Sequence, residues 1–388
     1  MQNRYKFIGF TMIYIAMMFL MIFSQQPQAQ AAEPTFGTVP SEPPQLLSGN
    51  FECDDPLRLT PWTIHNIKGN PEVAYARERH TSGCDSESWV EHLEGRDALT
   101  IRSEDIETAP DPGKPFDIAF SQPITVIPGI DYSVSGWIVS FCGGTKSPSD
   151  CPDGTYIEKM VGLDGTGGSD PLSPNIVWAQ NRQNFLEGDL AVRWVNLHTA
   201  VRAEEVTMTV FARINSPFQW HGNHAYLDAI SVVRAPIARF GQISTTVTGT
   251  ITGTITGTTT LLTWESEQSP DISSIPNGAY QLLVDVESRY GANGEWKPVV
   301  TGAVDTTSFE YRAKCSDATY DFRIRARSEQ SPDVGPGVFP NHRYPGVWSE
   351  PLSIKFVEPT ISITPTVPIT GEFQVFLPVV ARQISCSD

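Results

Sequence analysis

Apolar and polar residues alternate with a period of two along much of the chain. In Tyr132–Phe141, Tyr132, Val134, Gly136 and Ile138 fall on one face of a strand, and Ser133, Ser135, Trp137, Val139 and Phe141 on the other. Glu205–Ile214 repeats the pattern, with Val206, Met208, Val210, Ala212 and Ile214 on one side. Phe116–Val126 reads as a strand pair interrupted by Pro123, and Pro128-Gly129 as a turn. From Leu261 a second series begins: LLTWESE, AYQLLVDVES, EWKPVV, TSFEYRA, TYDFRIRARS and VWSEPLSI. No stretch holds a long helical period. Short strands between Gly/Pro turns predict an all-β chain built of sandwiches.

The most constrained stretch is Val161–Trp178, VGLDGTGGSDPLSPNIVW. A short apolar strand runs into Gly162, Gly165, Gly167 and Gly168, then Pro171 and Pro174, then an apolar exit. Glycine permits positive φ, proline fixes φ, and Asp and Ser bond nearby backbone, so this reads as a shaped loop between two strands. Asp164 and Asp170 flank its glycines; Asx-turn capping is the ordinary reading, and cation binding the alternative.

Both ends of the chain look different. Arg4 and Lys6 precede the apolar run Phe7–Phe23, and Ala29-Gln30-Ala31 offers a small-x-small cleavage site. Residues 1–31 therefore read as a signal peptide, with an uncleaved membrane anchor as the rival. Residues 32–45, rich in Pro, Glu and Ser, read as a disordered spacer. The first domain spans 46–235. Residues 236–260, with their Thr-Gly-Ile repeat, are a linker or a first strand, and the second domain spans 261–358. Residues 359–388 are a Thr/Pro linker and a short apolar motif around Phe373–Arg382, whose strand could pair with a sheet edge.

The net charge of −17 disfavours nucleic acid and anionic lipid, which call for Lys/Arg stripes. Export permits disulfides among the six cysteines. Cys142 and Cys151 flank a Gly/Pro/Ser loop that a disulfide would close, and Cys53 with Cys84 could staple the first strand to the next loop. The pairing of Cys315 and Cys386 is open, and no Cys/His spacing fits zinc.

GNFE at Gly49–Glu52, the following PWTI, and the closing strand HAYLDAISVVR at His224–Arg234 resemble the CenC-type carbohydrate-binding modules and their galactose-binding-like jelly-roll relatives. Residues 161–178, with RWVNLHTAV and the alternating strand after it, also resemble a module of exported multidomain proteins of Chloroflexi-type bacteria. The tail resembles a C-terminal motif of such proteins. The usual closing Asp-Asp is here Asp228-Ala229. The second series resembles a fibronectin type III domain, carried by Trp264, by Tyr320 with Phe322, Ile324 and Ala326, and by Trp348-Ser349. That resemblance makes Tyr320 a corner tyrosine bonding upstream backbone.

Candidate chemistry follows from these readings. If Tyr132, Val134 and Ile138 face the core, Trp137 and Phe141 face outward as a platform for sugar rings; the alternative is that the faces are reversed or a loop buries Trp137. Trp178 and Trp220 are further sugar-binding candidates, and like Trp194 each could instead be packing. The jelly-roll resemblance places Glu52 beside Asp228, where related modules often hold a structural calcium; plain hydrogen bonding is the alternative. His221 and His224 form an HxxH that reads as a surface turn. No G-x-S-x-G elbow, HExxH helix or phosphate loop is present, and no carboxylate pair stands out. The expectation is an exported, non-catalytic protein binding a polysaccharide or glycoconjugate outside the cell or at its surface, with envelope association. A structural or adhesive protein and a glycoside hydrolase are the alternatives.

Overall fold

The computed structural model describes residues 44–77, 84–86, 93–103, 114–141, 157–182, 194–217, 223–241, 254–256, 259–274, 279–315, 318–331 and 341–357. The expected signal segment, most of the spacer, Cys142, Cys151, Trp220, His221, Cys386, the C-terminal motif and the side chains of Phe141 and His224 lie outside the described residues. Two β-sandwiches make up what is described, and the fold class is all-β.

The first sandwich holds β1 (Thr63–Lys68), β2 (Glu72–Arg77), β3 (Asp85–Ser86), β4 (Asp97–Arg102), β5 (Phe116–Thr125), β6 (Asp131–Phe141), β7 (Glu158–Asp164), β8 (Ile176–Asn181), β9 (Val195–Arg202), β10 (Thr207–Ser216) and β11 (His224–Arg234). They form a five-stranded sheet, β1-β5-β10-β7-β8, and a six-stranded sheet, β3-β2-β4-β11-β6-β9. Each strand gives alternate residues to the core between the sheets: Ile118, Phe120 and Ile124 from β5, Val210, Ala212 and Ile214 from β10, Tyr132, Val134 and Ile138 from β6. The face expected for β6 is therefore the face found.

Pro123 does not interrupt a strand pair. It sits inside the continuous β5, opposite Thr209 of β10. On the other side β1 ends at Thr63, opposite Ser121, so no neighbour requires the N–H that proline lacks.

The second sandwich starts two residues after β11. Its strands are β12 (Ile237–Phe240), β13 (Thr254–Thr256), β14 (Thr259–Glu267), β15 (Tyr280–Tyr290), β16 (Lys297–Ala303), β17 (Ser308–Arg312), β18 (Ala318–Gln330), β19 (Arg343–Pro345) and β20 (Leu352–Val357). The segment 236–260, expected as linker or first strand, supplies both β12 and β13. One sheet runs β12-β14-β17 and the other β13-β20-β18-β15-β16, with β19 on β18. Leu262, Trp264, Val286, Phe322, Ile324 and Phe356 fill the core. On the outer side of β18, guanidinium groups lie over indoles: Arg323 over Trp296 at 4.4 Å and over Trp348 at 4.5 Å.

Each sandwich carries the same tyrosine device. The Tyr320 hydroxyl accepts the backbone N–H of Cys315 at 3.2 Å, and the Tyr132 hydroxyl accepts that of Ile127 at 3.0 Å. Cys53 and Cys84 form a disulfide across a sequence separation of 31. Cys315 is disulfide-bonded as well.

The sandwiches meet where β19 packs on β6 and β9. Tyr344 and Ser231 hydroxyls are 2.6 Å apart, and His342 Nδ1 is 2.9 Å from Ser135 Oγ. The buried Arg234–Asp271 ion pair closes the same joint, with the Arg234 backbone N–H donating to Asp271 at 2.8 Å.

Candidate functional site

The outer face of the five-stranded sheet carries the residues that alternate with the core set. Pairing register arranges them in rows across the strands. Thr63, Ser121, Phe211, Gly162 and Trp178 form one row, and His65, Ala119, Arg213, Met160 and Gln180 the next. Asp117, Asn215 and Glu158 form a third. The rows place one half-buried indole beside a band of hydrogen-bonding groups.

Trp178 lies across Gly162. A Cβ at Gly162 would stand 2.6 Å from Trp178 Cε3, so only glycine leaves room for the ring. Phe211 backs it, with ring centroids 5.9 Å apart and planes tilted by 59°. The polar band is tightly cross-linked. Arg213 donates to both oxygens of Asp117, at 2.8 and 2.6 Å. Arg182 Nε donates to Glu158 at 2.8 Å, and Asn215 Nδ2 to the other Glu158 oxygen at 3.4 Å. Across the sheet, His65 Nε2 and Ser121 Oγ are 2.8 Å apart. Burial lowers the His65 pKa, and Asp170 offsets part of that. The glycine loop therefore brings a carboxylate into the neighbourhood of β1.

Trp178 is thus half-buried on the outer face of the five-stranded sheet, against Gly162 and the buried Phe211. Trp137 is placed differently. It does point away from the main core, as its strand position predicts, yet it is only 6% exposed. Leu93, Ala76, Ala98, Val139, Trp194, Tyr226 and Ala229 enclose it in a second, smaller core on the outside of the six-stranded sheet. Facing outward on a strand therefore did not make this indole a platform, because residues of the neighbouring strands and loops close over it. Trp194 belongs to that same packing.

Glu52 and Asp228 grip one turn from opposite ends, each through backbone N–H groups. Asp228, wholly buried, accepts from Leu93 at 2.8 Å, Glu94 at 3.1 Å and Ala229 at 2.7 Å. Burial holds its carboxyl well above the usual range, and those donors pull the other way. Glu52 accepts from Arg96 at 2.7 Å, and Gly95 takes φ +70° between the two contacts. The structure brings Glu52 together with Asp54 and Asp97: one oxygen of each of the three lies within 4.8 Å of the others. Burial raises the Glu52 pKa, and the charges of Asp97 and Asp54 add to the rise. Ala229 stands at φ +50°, where the register between β11 and β6 shifts.

Asp164 caps its own turn, its Oδ1 accepting from the Thr166 backbone at 2.8 Å, and Asp170 does the same for Leu172 at 2.9 Å. Both are the Asx turns that the loop composition implied. Sequence reasoning passed over Asp117, Glu158, Phe211, Arg213 and Asn215. The available signal was Arg213 inside an otherwise apolar alternation, which marks the face opposite Val210 and Ala212 as one that meets water.

No protein-family model matches the chain, and no curated protein does. Among solved structures, TmCBM61 in complex with beta-1,4-galactotriose is similar at 14% identity, over 49% of this chain and 97% of that one, with a TM-score of 0.30. A family 16 carbohydrate-binding module is similar at 16% identity, over 36% and 78%, with a TM-score of 0.20. The adhesin domain of Epf from Streptococcus pyogenes is similar at 10% identity, over 72% and 84%, with a TM-score of 0.23.

Proposed function

We propose that this is an exported, non-catalytic protein that binds a polysaccharide or glycoconjugate, at the cell surface in association with the envelope or outside the cell. The site is the outer face of the five-stranded sheet. One observation carries the reading: the half-buried Trp178, seated on Gly162 with Gln180 two residues further along its strand, shares one outer sheet face with the cross-linked Arg213, Asp117, Glu158 and Asn215 of the adjoining strands. An indole face suits the axial C–H groups of a sugar ring, and the fixed polar groups suit its hydroxyls. The Cys53–Cys84 disulfide accords with export. A hydrolase would use two carboxylates flanking a glycosidic bond. Asp117 and Glu158 share a row, but each is engaged by an arginine, which suits recognition better than proton transfer.

On the same reading the first sandwich is a CenC-type module and the second a fibronectin type III-like domain. The Tyr320–Cys315 contact and the packing of Trp348 support the second assignment. A structural calcium fits Glu52, Asp54 and Asp97 better than Glu52 and Asp228, because three hard oxygens converge there. Chelation should then lower the melting temperature, and an unchanged melt with no calcium in elemental analysis removes the ion.

The deciding experiment is a glycan array on the secreted protein and on Trp178→Ala. The variant should fold and lose about 1–3 kcal/mol of binding, the range for an aromatic anchor. A parent that binds no glycan turns the reading to a structural or adhesive role. A variant that binds as the parent does removes Trp178 as the contact.

A further inference from the structure

The joint between the sandwiches contains two histidines linked through the first sandwich. His198 on β9 contacts Asn196 Oδ1 through Nδ1 at 3.1 Å. Asn196 Nδ2 donates to Ser135 Oγ at 2.8 Å, and Ser135 Oγ meets His342 Nδ1 at 2.9 Å. One proton arrangement satisfies the whole chain. His198 Nδ1–H donates to Asn196, Asn196 donates to Ser135, and the Ser135 hydroxyl donates to a neutral His342. His342 is 2% exposed and stacks on Tyr344, with ring centroids 5.6 Å apart.

The charges around this chain are arranged against a further proton. Arg325 and Arg327 of β18 and Arg343 of β19 all face His198 closely enough to disfavour its cationic form. Asp285 of β15 holds Arg325 at 3.2 Å and Arg327 at 3.1 Å, and Glu329 of β18 pairs with Arg327 and Arg343. Among the described residues, the groups that stand against His342 are aromatic and hydroxyl: Tyr344, its neighbour Tyr280 of β15, and Ser135 of β6. Glu94, in the turn before β4, lies near Tyr280 and Tyr344. The Arg234–Asp271 pair lies at the same joint.

We propose that this joint is an acid-triggered release: in mild acid, protonation of His198 and His342 parts the second sandwich from the six-stranded sheet while both sandwiches stay folded. A free imidazole takes its proton near pH 6.5. In the closed joint, burial and the three arginines push His198 down to about 4, and burial pushes His342 down to about 3. Opening therefore gains two protons that the closed form refuses. Glu94 works the other way, since burial raises its pKa and acid relieves that cost. Two histidines against one carboxyl leave the balance with opening.

The test is small-angle scattering of the full secreted chain, with circular dichroism, from about pH 7.5 to about pH 4. The radius of gyration should rise reversibly below about pH 6 with the dichroism unchanged. His198→Asn with His342→Gln should shift that midpoint down by about one pH unit or more, since neither replacement titrates. If the double variant does not fold, His198→Asn alone, at the half-buried position, should still lower the midpoint. Constant dimensions across the range, scattering and dichroism that change together, or a variant that opens at the parent's pH would each overturn the release.

Discussion

At the residue scale, Trp137 and Trp178 separate two consequences of the same rule. Both alternate out of the main core, and the sequence made that visible through Tyr132, Val134 and Ile138 for the first. What covers an outward side chain comes from elsewhere in the chain, here Leu93 and Trp194, so no local pattern reports it. Trp137→Ala should accordingly act on stability. Emptying a packed site of that size should cost about 3–5 kcal/mol, read as a fall in denaturation midpoint. A variant as stable as the parent would mean that Trp137 is not enclosed. Asp228 teaches a related lesson. Its place in the closing strand was legible, but its partners are the backbone N–H groups of Leu93 and Glu94, more than a hundred residues earlier.

At the element scale, the strands were legible because alternation is local, whereas their neighbours were not. The polar band of Asp117, Arg213, Asn215 and Glu158 exists only because β10 lies between β5 and β7. The constrained stretch after Val161 was visible from its glycines and prolines, yet the function of Gly162 depends on β8 folding back beside β7. Gly162→Ala tests that dependence. The added methyl must displace Trp178 or the backbone, and overpacking of this kind costs about 1–3 kcal/mol. Glycan binding should weaken along with stability, measured on the same preparation. A variant with unchanged melt and unchanged binding would mean that the indole does not rest on that glycine. Pro123 is the reverse case: its residue type suggested a break, and the early end of β1 removed the reason for one.

At the scale of the whole molecule, the direction of pH dependence at the joint follows from the two histidines. Both have closed-state pKa values below the free value, so their contribution to closure is complete above about pH 6.5. It is lost as pH falls toward about 4 for His198 and about 3 for His342. None of this was readable from the sequence, where His342 stands in a segment with no strand pattern and Ser135 is one polar residue of an alternating strand. The connection between the sandwiches has a mechanical meaning too. Only Ala235 and Pro236 separate β11 from β12, and proline has a fixed φ. β11 is hydrogen-bonded on both sides, to β4 and β6. A pull on the chain beyond residue 241 meets no slack once β12 peels from β14. It then loads β11 along its own axis, in shear, so many ladder bonds resist together rather than opening one after another.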